Sequence, residues 1–95
     1  MKYSIQHITV TGSDQNVTIP AVAADDDGVL QPIYKVIFQP EGAAIDLVDP
    51  DTNTKLYPIA DGASLEVQSS DLPGTVFVFN GTAANTLRVL QLHNT

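Results

Sequence analysis

Residues 75–95 read TVFVFNGTAANTLRVLQLHNT, and the spacing of their apolar side chains decides the fold. Residues 76–79 are all apolar, and they are followed by Asn80-Gly81, a dipeptide that favours a tight turn between strands. Asn85 closes the turn, and TLRVLQL then returns as a second apolar run. We predict two strands here, joined as a hairpin.

The returning strand carries apolar side chains on both faces. Leu87 and Val89 point one way, while Leu90 and Leu92 point the other way beside Arg88, because successive side chains of a strand alternate. A two-layer sandwich buries only one face of each sheet, and a large exposed apolar patch usually marks a contact surface. We therefore predict a homo-oligomer, a dimer or a trimer. Strongly curved sheets with loops over the outer face are the alternative. The candidate interface residues are Phe77, Phe79, Leu90 and Leu92.

The same period of two extends through nearly the whole chain. The stretch PIYKVIFQP (32–40) is apolar on both faces, which indicates a central strand, and Pro58 within KLYPI indicates a sheet edge. Clusters of Pro, Gly, Asn and Asp separate the apolar runs at intervals of about 8–12 residues, and no segment has a convincing helical period. The sequence predicts one all-β domain over residues 1–95, a compact antiparallel β-sandwich or jelly-roll-like barrel of about seven or eight short strands.

The first apolar segment, KYSIQHITV, departs from simple alternation. Its apolar residues change phase at Gln6-His7, from Tyr3 and Ile5 to Ile8 and Val10. We predict a β-bulge or a change of face at that point.

Composition excludes several classes of partner. Four basic residues stand against eleven acidic ones, which gives a net charge of −7, and the basic residues are dispersed. We therefore expect no nucleic-acid or anionic-membrane partner, because both need a cationic surface. The absence of cysteine excludes disulfides and thiolate metal sites. We expect no signal peptide and no membrane span, because no stretch is long and apolar enough.

The segment DPDTNTK resembles the start of a calcium loop, since Asp49, Asp51 and Asn53 place oxygen ligands at alternate positions. An EF-hand would then need glycine and glutamate where this chain has Thr54 and Ala60. A hairpin turn accounts for the same residues, because Pro, Asp and Asn all favour turns. We predict the turn and expect no metal or other cofactor. The candidate metal ligands in this segment are Asp49, Asp51 and Asn53.

A second acidic cluster, Asp25-Asp26-Asp27-Gly28, brings three carboxylates together. They must stay hydrated, hold a cation or face a basic partner. Convergence on one ion needs an irregular loop, because successive strand residues point to opposite faces. We predict a solvated loop that closes at Gly28.

Few residues have the character that catalysis needs. Only His7 and His93 are bases suited to neutral pH, and His93 lies close to the C-terminus, where chains often fray. We predict a plain surface histidine there. No serine lies in a nucleophile-elbow sequence, and a sandwich of this size rarely offers the cleft of a two-carboxylate glycosidase. The mid-strand acids Asp46 and Glu66 fall in polar phase and are predicted to face outward. The chain is not expected to be an enzyme.

The sequence resembles the small accessory virion proteins of tailed bacteriophages, which include capsid decoration (cement) proteins and head-associated β-sandwich proteins. The resemblance lies in a short, acidic, cysteine-free all-β chain ending in VFVFNGTAANTLRVLQL, with residues 74–92 the most similar in character. It implies a structural virion protein, assembled in the host cytoplasm, that binds the outer capsid surface and stabilises the shell. The implied partner is the major capsid protein or another virion protein.

A capsid-binding chain needs a face for its partner, and residues 1–5 are attractive because a terminal strand can add to a partner's sheet. The candidate partner-binding residues are Lys2, Tyr3 and Ile5. The alternative is that this segment is the domain's own first strand. A rival functional class is a small carbohydrate- or receptor-binding β module of an adhesion or fibre structure. It rests on Tyr57 beside the acidic turn at residues 49–53.

Overall fold

All the regular secondary structure in the described part of the chain is β-strand. A computed structural model describes residues 2–10, 15–20, 23–25, 27–49, 51–52, 55–69, 72, 74–81 and 85–93. Within these ranges there is no helix long and apolar enough to cross a membrane. The strands are β1 (Lys2–Val10), β2 (Gln15–Thr18), β3 (Ala23–Ala24), β4 (Leu30–Gln31), β5 (Ile33–Glu41), β6 (Ile45–Val48), β7 (Lys55–Ile59), β8 (Leu65–Gln68), β9 (Val76–Gly81) and β10 (Asn85–His93).

Eight of these strands form two four-stranded antiparallel sheets. Sheet A has the order β1-β10-β5-β8 and sheet B the order β2-β9-β6-β7, while β3 and β4 pair as a short separate ribbon. Numbering the eight strands without the ribbon gives the orders 1-8-3-6 and 2-7-4-5, which is the strand order of a jelly roll. The predicted all-β sandwich with jelly-roll character is confirmed.

The core lies between the two sheets, where alternate side chains of each strand meet. Phe38 of β5 is fully buried, and the centroid of its ring lies 5.0 Å from the ring centroids of both Phe77 and Phe79 of β9. These tilted and edge-on contacts suit the charge distribution of aromatic rings. Aliphatic side chains from both sheets, such as Ile45 and Val89, complete the core around them.

Several local predictions agree with the strand order. The doubly apolar stretch 32–40 forms β5, which lies between β10 and β8 inside sheet A. The proline-containing stretch 55–59 forms β7 at the edge of sheet B, where Pro58 needs to donate no hydrogen bond to a further strand. AIDLV and KLYPI pair as β6 and β7, as expected of two strands joined by an acidic turn.

The predicted C-terminal hairpin is wrong. β9 pairs with β2 and β6 in sheet B, whereas β10 pairs with β1 and β5 in sheet A. The chain therefore crosses from one sheet to the other between Gly81 and Asn85. The predicted turn at Asn80-Gly81 is wrong as well, because these two residues are the last of β9 and pair with Asp46 and Ile45 of β6.

Two alternatives were predicted for β1 at Gln6-His7: the β-bulge is absent, whereas the change of face by the apolar residues is confirmed. All nine residues of β1 pair in continuous register with β10, from Lys2 opposite His93 to Val10 opposite Asn85. The strand keeps its face, and the apolar residues change sides instead, so that Tyr3 and Ile5 point outward and Val10 points inward. The inward positions near the start of β1 are filled by polar side chains, of which Ser4 and Gln6 both hydrogen-bond to Gln91 of β10.

Candidate protein-binding face of sheet A

The outer face of sheet A carries a row of apolar side chains that crosses three strands. Ile5 of β1 lies opposite Leu90 of β10, and Leu90 lies opposite Ile37 of β5. Tyr3 and Leu92 form the neighbouring pair on the same face. Tyr3 and Ile5 are 44% and 50% exposed, while Leu92 is largely shielded. We call these five residues the outer apolar row.

An open depression of about 370 Å³ lies over this face. Three of its seven lining residues are apolar, three form a polar row, and the seventh is Ser64. The polar row consists of His7, Arg88 and Gln39, which face one another across β1, β10 and β5. The lining residues are Ile5, His7, Ile37, Gln39, Ser64, Arg88 and Leu90. The surface is therefore concave, partly apolar and bordered by hydrogen-bonding groups, a composition suited to a protein contact.

The charges on this face are balanced, although the chain as a whole is strongly acidic. Arg88 forms an ion pair with Glu41 on β5, and the Lys35 Nζ lies 3.5 Å from the Glu66 Oε2 on β8. The Arg88–Glu41 pair is exposed on both sides and contributes little to stability, while in the second pair Glu66 is exposed and Lys35 is partly buried. Their effect is to leave the outer apolar row without a local excess of negative charge.

The structure divides the four predicted interface residues into two groups. Leu90 and Leu92 lie on the outer face of sheet A, as the alternation in β10 predicts. Phe77 and Phe79 instead face the core, and Phe79 has no exposed surface. Their proposed role in an interface is therefore corrected, because a side chain held between the sheets cannot reach a partner while the sandwich is folded. The sequence could not show this, since residues 76–79 are apolar on both faces.

The three predicted partner-binding residues lie in β1. Lys2, Tyr3 and Ile5 pair with β10, so this segment is the domain's own first strand, as the alternative interpretation had it. Lys2 is in the inward phase and forms an ion pair with Asp27 near the β3–β4 ribbon. Tyr3 and Ile5 belong to the outer apolar row, and their contact with a partner stays a prediction.

A buried polar cluster between β1 and β10 was not predicted. The Gln6 Nε2 donates to the Gln91 Oε1 at 2.6 Å, and the Gln91 Nε2 donates to the Ser4 Oγ at 2.8 Å. The Ser4 Oγ in turn lies 2.7 Å from the His93 Nε2. Gln6 also reaches the backbone carbonyl of Thr18 at 3.3 Å, which links sheet A to β2 of sheet B. The sequence signal was present as polar residues at alternate positions in two otherwise apolar strands.

The expected surface position of His93 is therefore wrong. The side chain is 2% exposed, because β10 continues to this residue and Lys2 of β1 lies opposite it. Pairing with Lys2 of β1 holds His93 in the sandwich. The contact between His93 and Ser4 has the residue types of a nucleophile and a base, but a substrate has no access to a histidine buried this far between the sheets. We interpret the cluster as a structural one.

The acidic cluster at residues 25–27 is organised around Asp25, whose side chain is buried. The Asp25 Oδ1 accepts hydrogen bonds from the backbone N–H groups of Asp27 and Val29 at 2.8 and 3.0 Å. Gly28 has a φ of 80°, which glycine adopts without steric cost, so the loop closes at Gly28 as predicted. Asp27 is exposed and pairs with Lys2, and Asp26 lies outside the described residues. The solvated-loop prediction is thus correct for Asp27 and wrong for Asp25, which caps the turn.

The acidic segment that contains Asp49 and Asp51 has the hydrogen bonding of a turn. The Asp51 N–H donates to the Asp49 Oδ1 at 2.9 Å, a bond typical of an Asx-turn. The third candidate ligand, Asn53, lies outside the described residues. Across the part of the chain that is described, no three His, Asp or Glu side chains are grouped in a way that could hold a metal ion.

His7 and Ser64 both line the depression, but they lie too far apart to act together. His7 is on β1 and Ser64 immediately precedes β8, so three strand spacings of about 4.8 Å each separate them. Asp46 and Glu66 fall in the outward phase of their strands, as predicted. The face has the chemistry of a contact surface, with no nucleophile placed beside a base.

Comparison with known proteins adds no functional assignment: no protein-family model, no curated protein and no solved structure matches this chain.

Proposed function

We propose that this chain is a non-catalytic structural protein that binds a protein surface through the outer face of sheet A. The observation that carries the proposal is the outer apolar row, which spans β1, β10 and β5 and is bordered by balanced charges. Removing one such side chain from water is worth about 1.5–3 kcal/mol when it becomes fully buried. Tyr3 and Ile5 of this row are exposed, and a contiguous apolar row that reaches the surface is best accounted for by a partner that covers it.

We further propose that the partner is a virion protein, and that the chain acts as a capsid decoration or cement protein on the outer surface of the shell. This setting rests on the resemblance to phage accessory proteins in length, acidity and all-β character. The jelly-roll order is compatible with it, since viral capsid domains use that topology. Lectin domains use it too, so topology by itself does not select the function.

The proposed mechanism is stabilisation by mass action. A protein that binds the assembled shell, but not its dissociated subunits, shifts the equilibrium towards the shell. A specific contact usually covers about 800 Å² on each partner, so the outer apolar row would form the centre of the contact and the polar row its rim.

The test is co-sedimentation with capsids that lack the protein. We expect the wild type to sediment with the shells and Ile37→Lys to stay in the supernatant, because the substitution places a charge inside the apolar row. Leu56→Lys is the matched control, since Leu56 is 58% exposed on β7 of the other sheet. Thermal melting of each variant shows that it is folded. Failure of the wild type to bind, or equal binding by both variants, would contradict the proposal.

A carbohydrate- or receptor-binding function has one observation in its favour. Tyr57 is 49% exposed on the edge strand β7, and it follows the acidic turn closely in sequence. The Asp49 carboxylate, however, already accepts a hydrogen bond from the backbone of its own turn. A glycan array comparing the wild type with Tyr57→Ala tests this candidate, because loss of a signal on substitution would favour it over the capsid proposal.

A further inference from the structure

The edges of the two sheets differ in how well they are protected. β2 and β8 have four residues each, and β7 has five residues with a proline among them. β1 has nine residues in continuous register, with no proline and with Lys2 as its one charged residue. Proteins usually guard a sheet edge by shortening it, or by placing prolines or charges on it. β1 is the edge that lacks this protection, and among the described strands it pairs with β10 alone.

Two hydrogen bonds between β5 and the β8 side of sheet A determine which residues of β1 point their backbone N–H and C=O groups away from the sheet. The carbonyl oxygens of Tyr34 and Pro40 accept from Ser69 and Gly62, so these two residues of β5 point towards β8. Backbone groups of successive strand residues alternate in direction, so the odd-numbered residues between them, Lys35, Ile37 and Gln39, point towards β10. Among these, Ile37 lies opposite Leu90, and the backbone N–H and C=O groups of the two residues therefore hydrogen-bond to each other.

The same alternation carries across β10 to β1. If Leu90 points towards β5, then Val89 and Gln91 point towards β1, where they meet Gln6 and Ser4. The remaining residues of β1 direct their N–H and C=O groups away from β10, to the edge of the sheet. They include Ile5, His7 and Thr9, and all three of these residues are exposed.

We propose that β1 pairs with β1 of a second copy of this chain, in antiparallel register about a two-fold axis at Gln6. In that register Ile5 lies opposite the partner's His7, and Lys2 lies opposite the partner's Val10. The full length of both strands is used, and residues whose backbones point outward face each other, as an antiparallel ladder requires. The contact is the same from both sides, so it closes at a dimer. It joins the two copies of sheet A into one sheet of eight strands.

The charge distribution favours a second copy as the occupant. Two chains of charge −7 repel each other, but none of the eleven acidic residues lies in β1. The pairing therefore places no carboxylate of one β1 opposite a carboxylate of the other. It also places Ile5 of each copy diagonally across from Ile5 of the other on the outer face. The dimer contact uses backbone groups at the edge of sheet A, whereas the proposed capsid contact uses side chains of its outer face, and β1 contributes to both.

The first test is the solution mass, measured by light scattering after size exclusion over a wide dilution series and without capsids. We expect the wild type to approach twice 10.1 kDa at high concentration and to fall towards 10.1 kDa on dilution. His7→Pro should remain at 10.1 kDa, because proline removes an outward N–H and keeps the bonds to β10. Gln68→Pro is the matched control at the opposite edge of sheet A, and it should behave as the wild type.

A wild type that stays monomeric at every concentration overturns the proposal, as does a His7→Pro variant that still dimerises. Amide hydrogen exchange of the wild type gives a test that needs no folded variant. The amides of Ile5, His7 and Thr9 should become protected as concentration rises, while those of Gln6 and Ile8 are protected throughout. Protection that does not depend on concentration would rule out the pairing, whatever the outcome of capsid binding.

Discussion

Gln91 shows how a single polar residue can be held inside an apolar sandwich. Its side-chain amide accepts a hydrogen bond from Gln6 and donates one to Ser4, so both ends of the group are satisfied although it is 2% exposed. A buried polar group of this kind costs little when it is bonded and much when its partner is lost. The cluster therefore favours the particular register in which β1 lies beside β10.

Gln91→Leu is expected to lower the free energy of unfolding by about 1–3 kcal/mol, because Ser4 and Gln6 lose a partner in a part-buried space. Gln6→Leu should have a similar effect. The double variant should cost less than the sum of the two, with a coupling of about 0.5–3 kcal/mol, since the second substitution removes a group that the first left unsatisfied. Urea denaturation measures all three values, and strictly additive losses would contradict the cluster.

The two acidic residues Asp25 and Asp27 provide a second comparison at the scale of one residue. Asp25→Ala removes the acceptor of two backbone N–H groups, and we expect a loss of about 1–3 kcal/mol. Asp27→Ala removes the same charge but disrupts an exposed ion pair with Lys2, which is worth about 0–1 kcal/mol. Thermal or urea unfolding of the two variants distinguishes the roles. Equal losses would mean that charge, rather than the cap on the turn, determines the effect.

At the scale of the element, the turn between β6 and β7 shows what an acidic sequence can and cannot indicate. Alternating oxygen side chains suit both a hard cation and a turn, and the hydrogen bond from the Asp51 N–H to the Asp49 Oδ1 uses one of them for the turn. An Asx-turn and a calcium site therefore compete for the same oxygen atom, the Oδ1 of Asp49.

We expect the melting temperature to be the same in calcium and in chelator. Asp49→Ala should lower the stability by about 0.5–1.5 kcal/mol through the lost hydrogen bond. Asp51→Ala, which removes the same charge from the same turn, should leave the stability nearly unchanged. A rise of several degrees in calcium, lost in both variants, would show instead that this segment binds the ion.

At the scale of the whole molecule, the two ends of the chain depend on each other. β10 lies between β1 and β5, and Lys2 near the start of the chain is opposite His93 near its end. Sheet A is therefore incomplete until the most distant parts of the sequence have met. Sheets built from distant pairings form slowly, because the entropy of closing a long loop is lost before the contacts are gained.

We expect folding on a timescale of about milliseconds to seconds, as is typical of all-β domains dominated by non-local pairing. Stopped-flow refolding from urea measures it, and relaxation in microseconds would contradict the strand order. Deleting residues 85–95 should abolish folding altogether, because β1 would lose its partner and the core its Leu87 and Val89. A shortened chain that still unfolds cooperatively would contradict the central position of β10.

Local features were predictable where one residue or one short pattern determines them. Alternation identified the strands, Pro58 placed β7 at an edge, and the doubly apolar stretch 32–40 placed β5 inside a sheet. Two of the candidate interface residues, Leu90 and Leu92, also reach the face that alternation indicates. In each case the physical cause lies within a few residues of the feature itself.

The sequence by itself therefore determined that this protein is an all-β sandwich and where most of its strands lie, because the period of side-chain alternation is a local property of the backbone. Only the tertiary structure decided which strands are neighbours, that Phe79 faces the core, and that His93 is buried beside Ser4. A strand apolar on both sides has no local preference for either sheet or either face. Those choices are made by long-range pairing, through the combined burial and hydrogen bonding of segments far apart in the chain.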